Sequence, residues 1–335
     1  MIISRTPFRI SFFGGGTDYP DWYRKHGGVV LSTSIDKYCY IICRYLPPFF
    51  NYKYRIRYTI REETNTIEEI QHPSVRECLL YLNFTKGVEI QHNADLPAMS
   101  GLGSSSAFSV GLLHALYALK GKIVSKRKLA LEAIHVEQER IKENVGSQDQ
   151  VITAFGGFNK IVFNAQQIAT VYPITIDKDK LYNLQKHLML IFTGFSRNAS
   201  MVAAEQIKNI PQKEKELKAM MEITDEAVNT LDSDNDDIAI FGKLLDDSWR
   251  IKQSLAPNIT TPSINEIYES ALNAGAIGGK LLGAGNGGFM LIFAKPENQP
   301  KIREKLKRLL FVPFSFENLG SQIIYYTYDA YKDIT

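Results

Sequence analysis

The first 65 residues alternate short aliphatic and aromatic runs with breaks rich in glycine or proline, a pattern typical of β-strands joined by turns. The breaks are Gly14-Gly15-Gly16, Gly27-Gly28 and Pro47-Pro48. The pattern predicts an antiparallel sheet, whose strands we place at residues 1–13, 29–35, 38–46 and 52–61.

After residue 65, stretches with apolar positions every three to four residues favour helices, and short apolar runs between them favour strands. Helices are predicted at 74–82, 104–119, 125–142, 261–274 and 297–310, and over most of 196–255. Strands are predicted at 88–92, 158–163, 169–174, 187–193, 277–282, 289–294, 311–316 and 322–327. This alternation predicts an α+β fold with two domains, residues 1–177 and 178–335, and a ligand cleft between them.

Composition narrows the class of protein. Of the 335 residues, 44% are hydrophobic and 22% are charged, which excludes a disordered or coiled-coil chain. The 39 basic residues exceed the 36 acidic ones by three and form no basic stripe. We therefore expect small-molecule partners and no nucleic acid.

Cysteine use and hydropathy bear on location. Cys39, Cys43 and Cys78 include no CxxC pair, and the six histidines form no HExxH pattern, so no zinc or iron site is predicted. No apolar run approaches the length of a membrane span, and arginines interrupt the amino terminus. The expectation is a cytoplasmic protein with reduced thiols and no membrane partner.

A segment rich in glycine and serine, residues 101–106, precedes the predicted helix at 104–119. Gly101 and Gly103 would let the backbone approach a ligand. The amides of a first helical turn lack partners in the helix and carry the positive end of its dipole, which suits a phosphate chain. The alternative is an ordinary serine cap after a flexible loop. No lysine follows Gly103 in the loop, which argues against a P-loop.

Another glycine cluster spans residues 283–288. A predicted strand follows it, whereas a dinucleotide-binding fingerprint requires a helix at that point. A tight turn between two strands is the alternative interpretation.

Two acidic residues are candidates for chemistry. Glu137 falls at the edge of the apolar stripe of its predicted helix, where Mg²⁺ bridging nucleotide phosphates would supply a partner. The alternative for Glu137 is an ion pair with Arg140 or a solvent cation. Asp149 is predicted to lie in a first helical turn, because Ser147 and Gln150 have the spacing of a capping box. There it could orient a hydroxyl nucleophile, although aspartate is also common in first turns without any such role.

Arg9 interrupts an otherwise apolar strand. An arginine in that position must either emerge at a cleft beside an anion or form an ion pair at the sheet edge. Both interpretations are open from the pattern alone.

Three motifs occur in a fixed order along the chain. They are Thr6-Pro7-Phe8-Arg9 through Gly14-Gly15-Gly16-Thr17-Asp18-Tyr19, Pro97-Ala98-Met99-Ser100-Gly101-Leu102-Gly103-Ser104-Ser105-Ser106-Ala107, and Lys280-Leu281-Leu282-Gly283-Ala284-Gly285-Asn286-Gly287-Gly288-Phe289. Together they resemble the motifs of the GHMP kinases, the superfamily of galactokinase, homoserine kinase, mevalonate kinase and phosphomevalonate kinase. The resemblance spans nearly the whole chain. It implies an amino-terminal domain like domain 2 of ribosomal protein S5 and a ferredoxin-like carboxy-terminal domain, with ATP and acceptor between them.

The resemblance also implies roles for individual residues. Asp149 would be the catalytic carboxylate, Arg9 would stand beside the acceptor hydroxyl, and Mg²⁺ would be held by Ser105 and Glu137. The residues implied to bind the ATP phosphates are Gly101, Leu102, Gly103, Ser104, Ser105 and Ser106. Those implied or expected to bind the acceptor are Asp18, Gly15, Gly16, Thr17, Arg197, Gly285 and Gly287.

Within the superfamily, residues 8–18, 145–150 and 193–197 are most similar to D-glycero-α-D-manno-heptose 7-phosphate kinases. Gly14-Gly15-Gly16 departs from the Gly-Glu-His of galactokinases, which argues against galactose. The resemblance implies phosphorylation of the anomeric C1 hydroxyl to give the 1,7-bisphosphate, on the route to GDP-heptose for surface polysaccharide. An acceptor that already carries a phosphate needs a second anion site, for which we expect Arg197 and the amides of a helix start.

Two other classes of function stay open. The first is a different activity on the same scaffold, either a fucokinase-like sugar 1-kinase or a diphosphate decarboxylase. The second is a non-catalytic sugar or nucleotide sensor, against which the presence of both Glu137 and Asp149 argues.

Overall fold

The structure, a computed structural model, describes residues 1–166, 169–194, 199–233 and 237–328. Its strands are β1 (Ile2–Phe13), β2 (Gly28–Tyr45), β3 (Tyr54–Arg57), β4 (Arg61–Thr64), β5 (Val88–Ala94), β6 (Phe158–Phe163), β7 (Ala169–Pro173), β8 (Leu188–Gly194), β9 (Ala276–Leu281), β10 (Gly288–Ala294), β11 (Leu310–Val312), β12 (Phe316–Glu317) and β13 (Gln322–Tyr326). Its α-helices are α1 (Pro20–His26), α2 (Pro73–Tyr81), α3 (Ser104–Leu119), α4 (Lys126–His135), α5 (Gln148–Phe155), α6 (Lys178–Lys186), α7 (Ala199–Asn209), α8 (Glu214–Asp232), α9 (Ala239–Gln253), α10 (Pro262–Asn273) and α11 (Gln299–Lys305). A π-helical segment, Val136–Ile141, continues α4, and 3-10 turns lie at Ile210–Gln212 and Pro296–Asn298.

Two sheets are built from the described strands. In the first, nine strands follow the order β13-β1-β2-β5-β3-β4, with β12 and β6 also paired to β2, and β7 paired to β6. The β3–β5 pair runs parallel, and the other described pairs run antiparallel. The second sheet has the order β11-β8-β10-β9 and is antiparallel. The arrangement is a mixed α and β fold, in line with the predicted α+β class.

Helix α3 covers the first sheet, packing on β1 and β2 and against α5. Its small and apolar residues are buried over almost the whole length of the helix, which confirms the predicted buried helix. Since a helix buried on most faces cannot shift without opening the core, α3 holds its first turn at a fixed place beside β1.

Aromatic packing joins β1 to the second half of the chain. The rings of Phe12 and Phe13 meet the ring of Phe241, on α9, edge to face at centroid distances of 5.4 and 5.0 Å. Helix α9 in turn packs on β9. The predicted boundary between residues 177 and 178 falls between β7 and α6 and stays a prediction. The last strands, β12 and β13, return to the first sheet.

The structure corrects two predicted elements in the first half. Residues 52–61, predicted as one strand, form β3, a reversal closed by the bond from Tyr58 N to Ile60 O (2.9 Å), and then β4. Residues 20–26, for which the sequence predicts neither a helix nor a strand, form α1, with Pro20 in its first turn and basic residues in its last. Proline at a helix start and basic residues at its end are ordinary helix signals. The aromatic residues of this segment favour a strand and so oppose those signals.

Further corrections lie in the second half. The segment before β8 forms α6, capped by the Asp177 side chain, where no helix was predicted. The helix predicted at 297–310 is shorter, ending at Lys305, and the strand predicted at 311–316 is divided between β11 and β12. Those two strands lie in different sheets.

Candidate active site

A cavity of about 430 Å³ lies where the first sheet meets the second. The start of α3, the start of α5 and the loop after β1 line it from one side. Helix α7, Lys252 of α9, Lys280 of β9 and the turn after β9 line it from the other. This agrees with a ligand cleft between the two halves of the chain.

The start of α3 is suited to bind an anion. Its N-cap is Gly103, in the left-handed conformation with φ of 74°, and no side chain caps the first turn. The alternative of an ordinary serine cap is therefore wrong, because Ser104 Oγ accepts a hydrogen bond from Met99 N (3.2 Å) instead. The first-turn amides are left without a side-chain cap, and Gly101, Gly103, Ser104 and Ser105 line the cavity.

The loop before α3 is packed tightly against the second sheet. A Cβ on Gly101 would lie 2.4 Å from the carbonyl oxygen of Leu282, so only glycine fits there. Phe289 N donates to Ser100 O (3.0 Å). The cluster at 283–288 lies in a loop of six residues between β9 and β10, which is longer than the tight turn of the alternative interpretation. Its ends meet at the bond from Leu282 N to Phe289 O (2.8 Å), and Gly283 packs against Gly101.

Arg9 and Asp149 form a two-pronged ion pair inside the cavity. The guanidinium donates from Nε to Oδ1 and from Nη2 to Oδ2, both at 2.7 Å, and from Nη1 to Gly101 O at 2.6 Å. Arg9 is 3% exposed and lies within the cleft, so an ion pair at the sheet edge is not formed. The fork fixes the carboxylate of Asp149 and joins it to the loop before α3.

Asp149 lies in the first turn of α5, as predicted, but the capping box is absent. Ser147 Oγ instead bonds Tyr23 Oη (3.2 Å) and accepts from Gln138 Nε2 (3.1 Å). Gln150 turns toward Glu137. The spacing therefore predicts the helix start correctly, although the capping box itself does not form. Both polar side chains bind tertiary partners instead.

Glu137 is fully buried, and the predicted alternative of a pair with Arg140 is wrong. Arg140 binds Glu77 (3.0 Å) instead. Glu137 Oε2 accepts from Ser106 Oγ (2.9 Å) and from Gln150 Nε2, and the Ser109 hydroxyl also lies against this carboxylate and lowers its pKa. Burial raises the pKa of this carboxyl to about 7.

Glu137 lies deeper than helical periodicity predicts because Val136–Ile141 is π-helical. The wider turn shifts side chains relative to an α-helical stripe, and such segments often occur at functional sites. A carboxylate next to a serine-bearing first turn is a donor of the kind that Mg²⁺ prefers. Glu137 is fully buried, however, and is not among the residues that line the cavity, so the agreement with the implied metal is in the type of donor. Among the described residues, no group of three or more His, Cys, Asp or Glu side chains forms a metal-binding cluster.

The serines of α3 divide between the cavity and the core. Ser105 is exposed in the cavity and hydrogen bonds Glu143, whose pKa is raised by burial and lowered in part by that bond. Ser106 points inward to Glu137, and Leu102 is fully buried. Leu102 and Ser106 are therefore not among the cavity-lining residues, although both were predicted to bind phosphate. Glu143 lines the cavity and was missed from the sequence.

The loop after β1 presents Gly15, Gly16 and Asp18 to the cavity. Asp18 is 2% exposed and accepts from Gly16 N (3.0 Å) and Gln148 N (3.2 Å). Burial raises its pKa, and those amide bonds oppose the shift. Thr17, also predicted to bind the acceptor, is fully buried, and its Oγ1 bonds backbone atoms of the loop and of β2, so it holds the loop in place.

The remaining acceptor predictions fall outside the cavity lining. Gly285 and Gly287 are buried in the turn between β9 and β10, where Gly283 and Ala284 are the lining residues. A Cβ on Gly285 would lie 2.7 Å from Ile259 O, which is a packing role. Arg197 lies outside the described residues.

Sequence reasoning also missed Lys252 and Lys280, which line the cavity although they are 5% and 2% exposed. A signal for Lys252 existed, since it continues the buried stripe of α9 at a spacing of four from Ser248 and three from Trp249. Burial, and then the nearby Arg9, lower the pKa of Lys252 to about 8, and burial lowers that of Lys280 further.

Other side chains considered in the sequence are structural or lie elsewhere. The three cysteines are buried free thiols. Burial lowers the pKa of both His92 and His114 to about 4, and neither lines the cavity. Among the described residues, none of the helices has the length and apolar character that crossing a membrane requires.

Comparison with known proteins matches both halves of the chain to one family. Residues 65–157 match the GHMP kinases N terminal domain, and residues 215–310 match the GHMP kinases C terminal domain. Together the two matches span more than half of the chain.

Individual relatives point the same way. A D-glycero-alpha-D-manno-heptose 7-phosphate kinase of Campylobacter jejuni is 28% identical over 323 residues, covering 92% of this chain and 93% of that protein. A bifunctional fucokinase/GDP-fucose pyrophosphorylase of Arabidopsis thaliana is 24% identical over 90% of this chain, which spans 30% of that protein. Among solved structures, a D-glycero-D-manno-heptose 1-phosphate kinase of Bacteroides thetaiotaomicron superposes with a TM-score of 0.74 at 22% identity, over 98% of this chain and 100% of the other.

Proposed function

The chain belongs to the GHMP kinase family, and we propose that it transfers the γ-phosphoryl group of ATP to the C1 hydroxyl of D-glycero-α-D-manno-heptose 7-phosphate. The product would be the 1,7-bisphosphate, a step toward GDP-heptose for surface polysaccharide. One observation carries the proposal: a carboxylate held by an arginine faces an uncapped helix start across one cavity. Similarity to a heptose 7-phosphate kinase over 92% of the chain supports the choice of acceptor.

The nucleotide would bind with its phosphates at the start of α3. The amides there lack a side-chain cap, and the helix dipole favours negative charge at that end. Gly101 and Gly103 allow the chain to approach the phosphates closely, and the hydroxyls of Ser104 and Ser105 lie at the same place.

In the proposed transfer, the C1 oxygen attacks the γ-phosphorus in line with the bond to the β,γ-bridging oxygen. The bond between the C1 oxygen and the γ-phosphorus forms as the bond from that phosphorus to the bridging oxygen breaks. The electron pair of the broken bond leaves with ADP. Asp149 orients the hydroxyl and accepts its proton as the bond forms, because a free aspartate is too weak a base to ionise an alcohol beforehand. The fork from Arg9 occupies one lone-pair position on each oxygen of Asp149 and leaves others for that proton.

Arg9 would act mainly by position. Its guanidinium bonds both Asp149 and the loop before α3, so it fixes the distance between the base and the phosphate site. Its remaining N–H groups would face charge that develops on the transferred group.

Mg²⁺ would be held by Ser105 and Glu137. The exposure of Ser105 in the cavity supports this assignment, and Glu137 lies directly behind the same helical turn, where it accepts from Ser106. When bound, the ion would supply positive charge that offsets the charge of the phosphates. The chain's own part is to hold the Glu137 carboxylate in place, through Ser106 and Gln150.

The acceptor would lie against the loop after β1, where Asp18 binds sugar hydroxyls beside Gly15 and Gly16. The buried side chain of Asp18 is held by two backbone amides, which supports a role in precise orientation. Arg197 is proposed to bind the 7-phosphate. The finer fold assignment, a first half like domain 2 of ribosomal protein S5 and a ferredoxin-like second half, is part of the same proposal.

The test is product analysis with a panel of acceptors. The protein is incubated with Mg-ATP and free or phosphorylated hexoses and heptoses, and phosphorus NMR is used to detect an anomeric phosphate. We expect it with the heptose 7-phosphate above all others. A preference for fucose, the sugar named in the activity of the Arabidopsis thaliana relative, would favour a fucokinase-like enzyme instead. No transfer to any acceptor would contradict the proposal and favour a non-catalytic sensor.

A further inference from the structure

Two buried lysine amines face the cavity without a carboxylate partner in the described part of the chain. Lys252 Nζ donates to the carbonyl oxygens of Leu281 (3.3 Å) and Gly283, and Lys280 Nζ donates to Phe12 O (2.7 Å). Within the described residues, neither amine has a carboxylate oxygen in ion-pair range. Carbonyl oxygens satisfy some of the N–H donors but do not neutralise the charges.

The charged side chains around the cavity are equal in number but unevenly paired. The described lining holds three basic side chains, Arg9, Lys252 and Lys280, and three acidic ones, Asp18, Glu143 and Asp149. Arg9 pairs with Asp149 through the two-pronged contact, and Glu143 lies with Ser105 on the nucleotide side. Asp18 is bound by two backbone amides and forms no ion pair with either lysine in the described part of the chain. Burying an uncompensated charge is costly, and an anionic group of a ligand would remove that cost.

The lysines lie on the acceptor side of the cavity. Lys280 Nζ donates to Phe12 O (2.7 Å), near the end of β1, where the chain enters the loop that presents Gly15, Gly16 and Asp18 to the cavity. Lys252 Nζ donates to the carbonyl oxygens of Leu281 and Gly283, which adjoin Lys280 along the chain. The nucleotide phosphates would therefore meet the helix start, and a second anion would meet the lysines.

We propose that Lys252 and Lys280 form an anion subsite for a phosphate group that the acceptor carries before transfer. The subsite selects phosphorylated sugars over neutral ones. This inference rests on the proposed function, since it takes the acceptor to be a sugar phosphate, and it does not depend on Arg197.

The test measures binding without turnover. Affinities of the wild type, Lys252→Met and Lys280→Met for D-glycero-D-manno-heptose 7-phosphate, for the unphosphorylated heptose and for ATP are compared by calorimetry, each ligand alone. We expect each substitution to weaken binding of the sugar phosphate about 10- to 100-fold, the range for a lost charge-assisted bond. Affinities for the free heptose and for ATP should change by less than about threefold.

Two further variants keep the test sharp if a methionine variant folds poorly. Lys252→Arg keeps the charge and should retain most of the preference for the phosphorylated sugar. Lys243→Met removes an exposed charge from the same helix and should change none of the affinities. Weaker ATP binding with unchanged sugar phosphate binding would overturn the proposal and assign the lysines to the nucleotide. An equal loss for phosphorylated and free heptose would also overturn it.

The failures of the two proposals are distinguishable. If the wild type transfers phosphate to no acceptor, the proposed function fails, while the calorimetric preference still reports on the lysines. If the wild type binds neither the sugar phosphate nor inorganic phosphate, the anion subsite is wrong even where transfer to a neutral sugar is detected.

Discussion

The two walls of the cavity differ in whether their charged side chains have charged partners within the protein. On the wall built from the first sheet and its helices, Arg9 and Asp149 neutralise each other and Asp18 is held by two backbone amides. On the wall built from α9 and β9, Lys252 and Lys280 have carbonyl partners only. A charge paired within the protein is fixed before the ligand arrives, which suits catalysis. A charge without such a partner is stabilised by the ligand, which suits selection.

We call the wall with Arg9 and Asp149 the paired wall and the wall with Lys252 and Lys280 the lysine wall. The largest effect is expected from a substitution in the paired wall. Asp149→Asn removes the group that orients the hydroxyl and takes its proton, so kcat should fall about 1,000-fold, within the range for general base catalysis. ATP affinity should stay nearly unchanged, because the helix start and Ser105 are untouched. Steady-state kinetics and nucleotide binding measure both. Asp247→Asn, an exposed aspartate on α9, is the control. A kcat within about tenfold of the wild type would remove Asp149 from the catalytic role.

The next prediction concerns pH and the buried carboxyl of the same wall. The pKa of Glu137 is raised from 4.5 to about 7 in the folded state by burial. The unfolded chain therefore loses this proton at lower pH than the folded chain. Below pH 4.5 the carboxyl is mostly protonated in both states, so it does not lower the free energy of unfolding. As the pH rises from 4.5 to 7, the free energy of unfolding falls, by about 3 kcal/mol at most. Glu137→Gln cannot ionise and escapes this loss.

Urea denaturation of wild type and Glu137→Gln in metal-free buffer checks this. The variant should be more stable by about 3 kcal/mol at pH 8 and equal at pH 4.5, since a glutamine oxygen can still accept from Ser106 and Gln150. The same variant should need more Mg²⁺ for activity. A stability difference that does not change with pH would show that Glu137 is not the buried acid described above.

A third prediction sharpens the contrast with the lysine wall. If Arg197 also meets the acceptor phosphate, Arg197→Met should raise KM for the heptose 7-phosphate about tenfold, the loss of one charge-assisted bond. The KM for ATP should change far less. Arg308→Met, which removes an exposed arginine, is the matched control. Equal effects on both substrates would refute the role of Arg197.

The sequence predicted the paired wall far better than the lysine wall. Glycine clusters and the position of Arg9 are local signals, so they located the loops and the start of α3. The ion pair between Arg9 and Asp149 joins residues 140 positions apart, and only the resemblance to a family placed them together. An α-helical periodicity places Glu137 at the edge of the apolar stripe, nearer the surface than it is, because no local pattern predicts a π-helical segment. Lys252 continues the apolar stripe of α9, but the long side chain of a lysine at such a position usually reaches solvent, so the pattern alone does not predict its burial.

The smallest expected effect separates two neighbouring serines. Ser106 donates to Glu137 in the core, whereas Ser105 is exposed in the cavity. Ser106→Ala should lower the free energy of unfolding by about 1 kcal/mol, the net worth of a typical hydrogen bond, with little change in KM for ATP. Ser105→Ala should leave the free energy of unfolding unchanged and raise the KM for Mg-ATP. Urea denaturation and kinetics on the two variants compare these effects directly. The reverse pattern would mean that Ser106, not Ser105, faces the nucleotide, and that the paired wall opens further toward the cavity than the hydrogen bonds around Glu137 indicate.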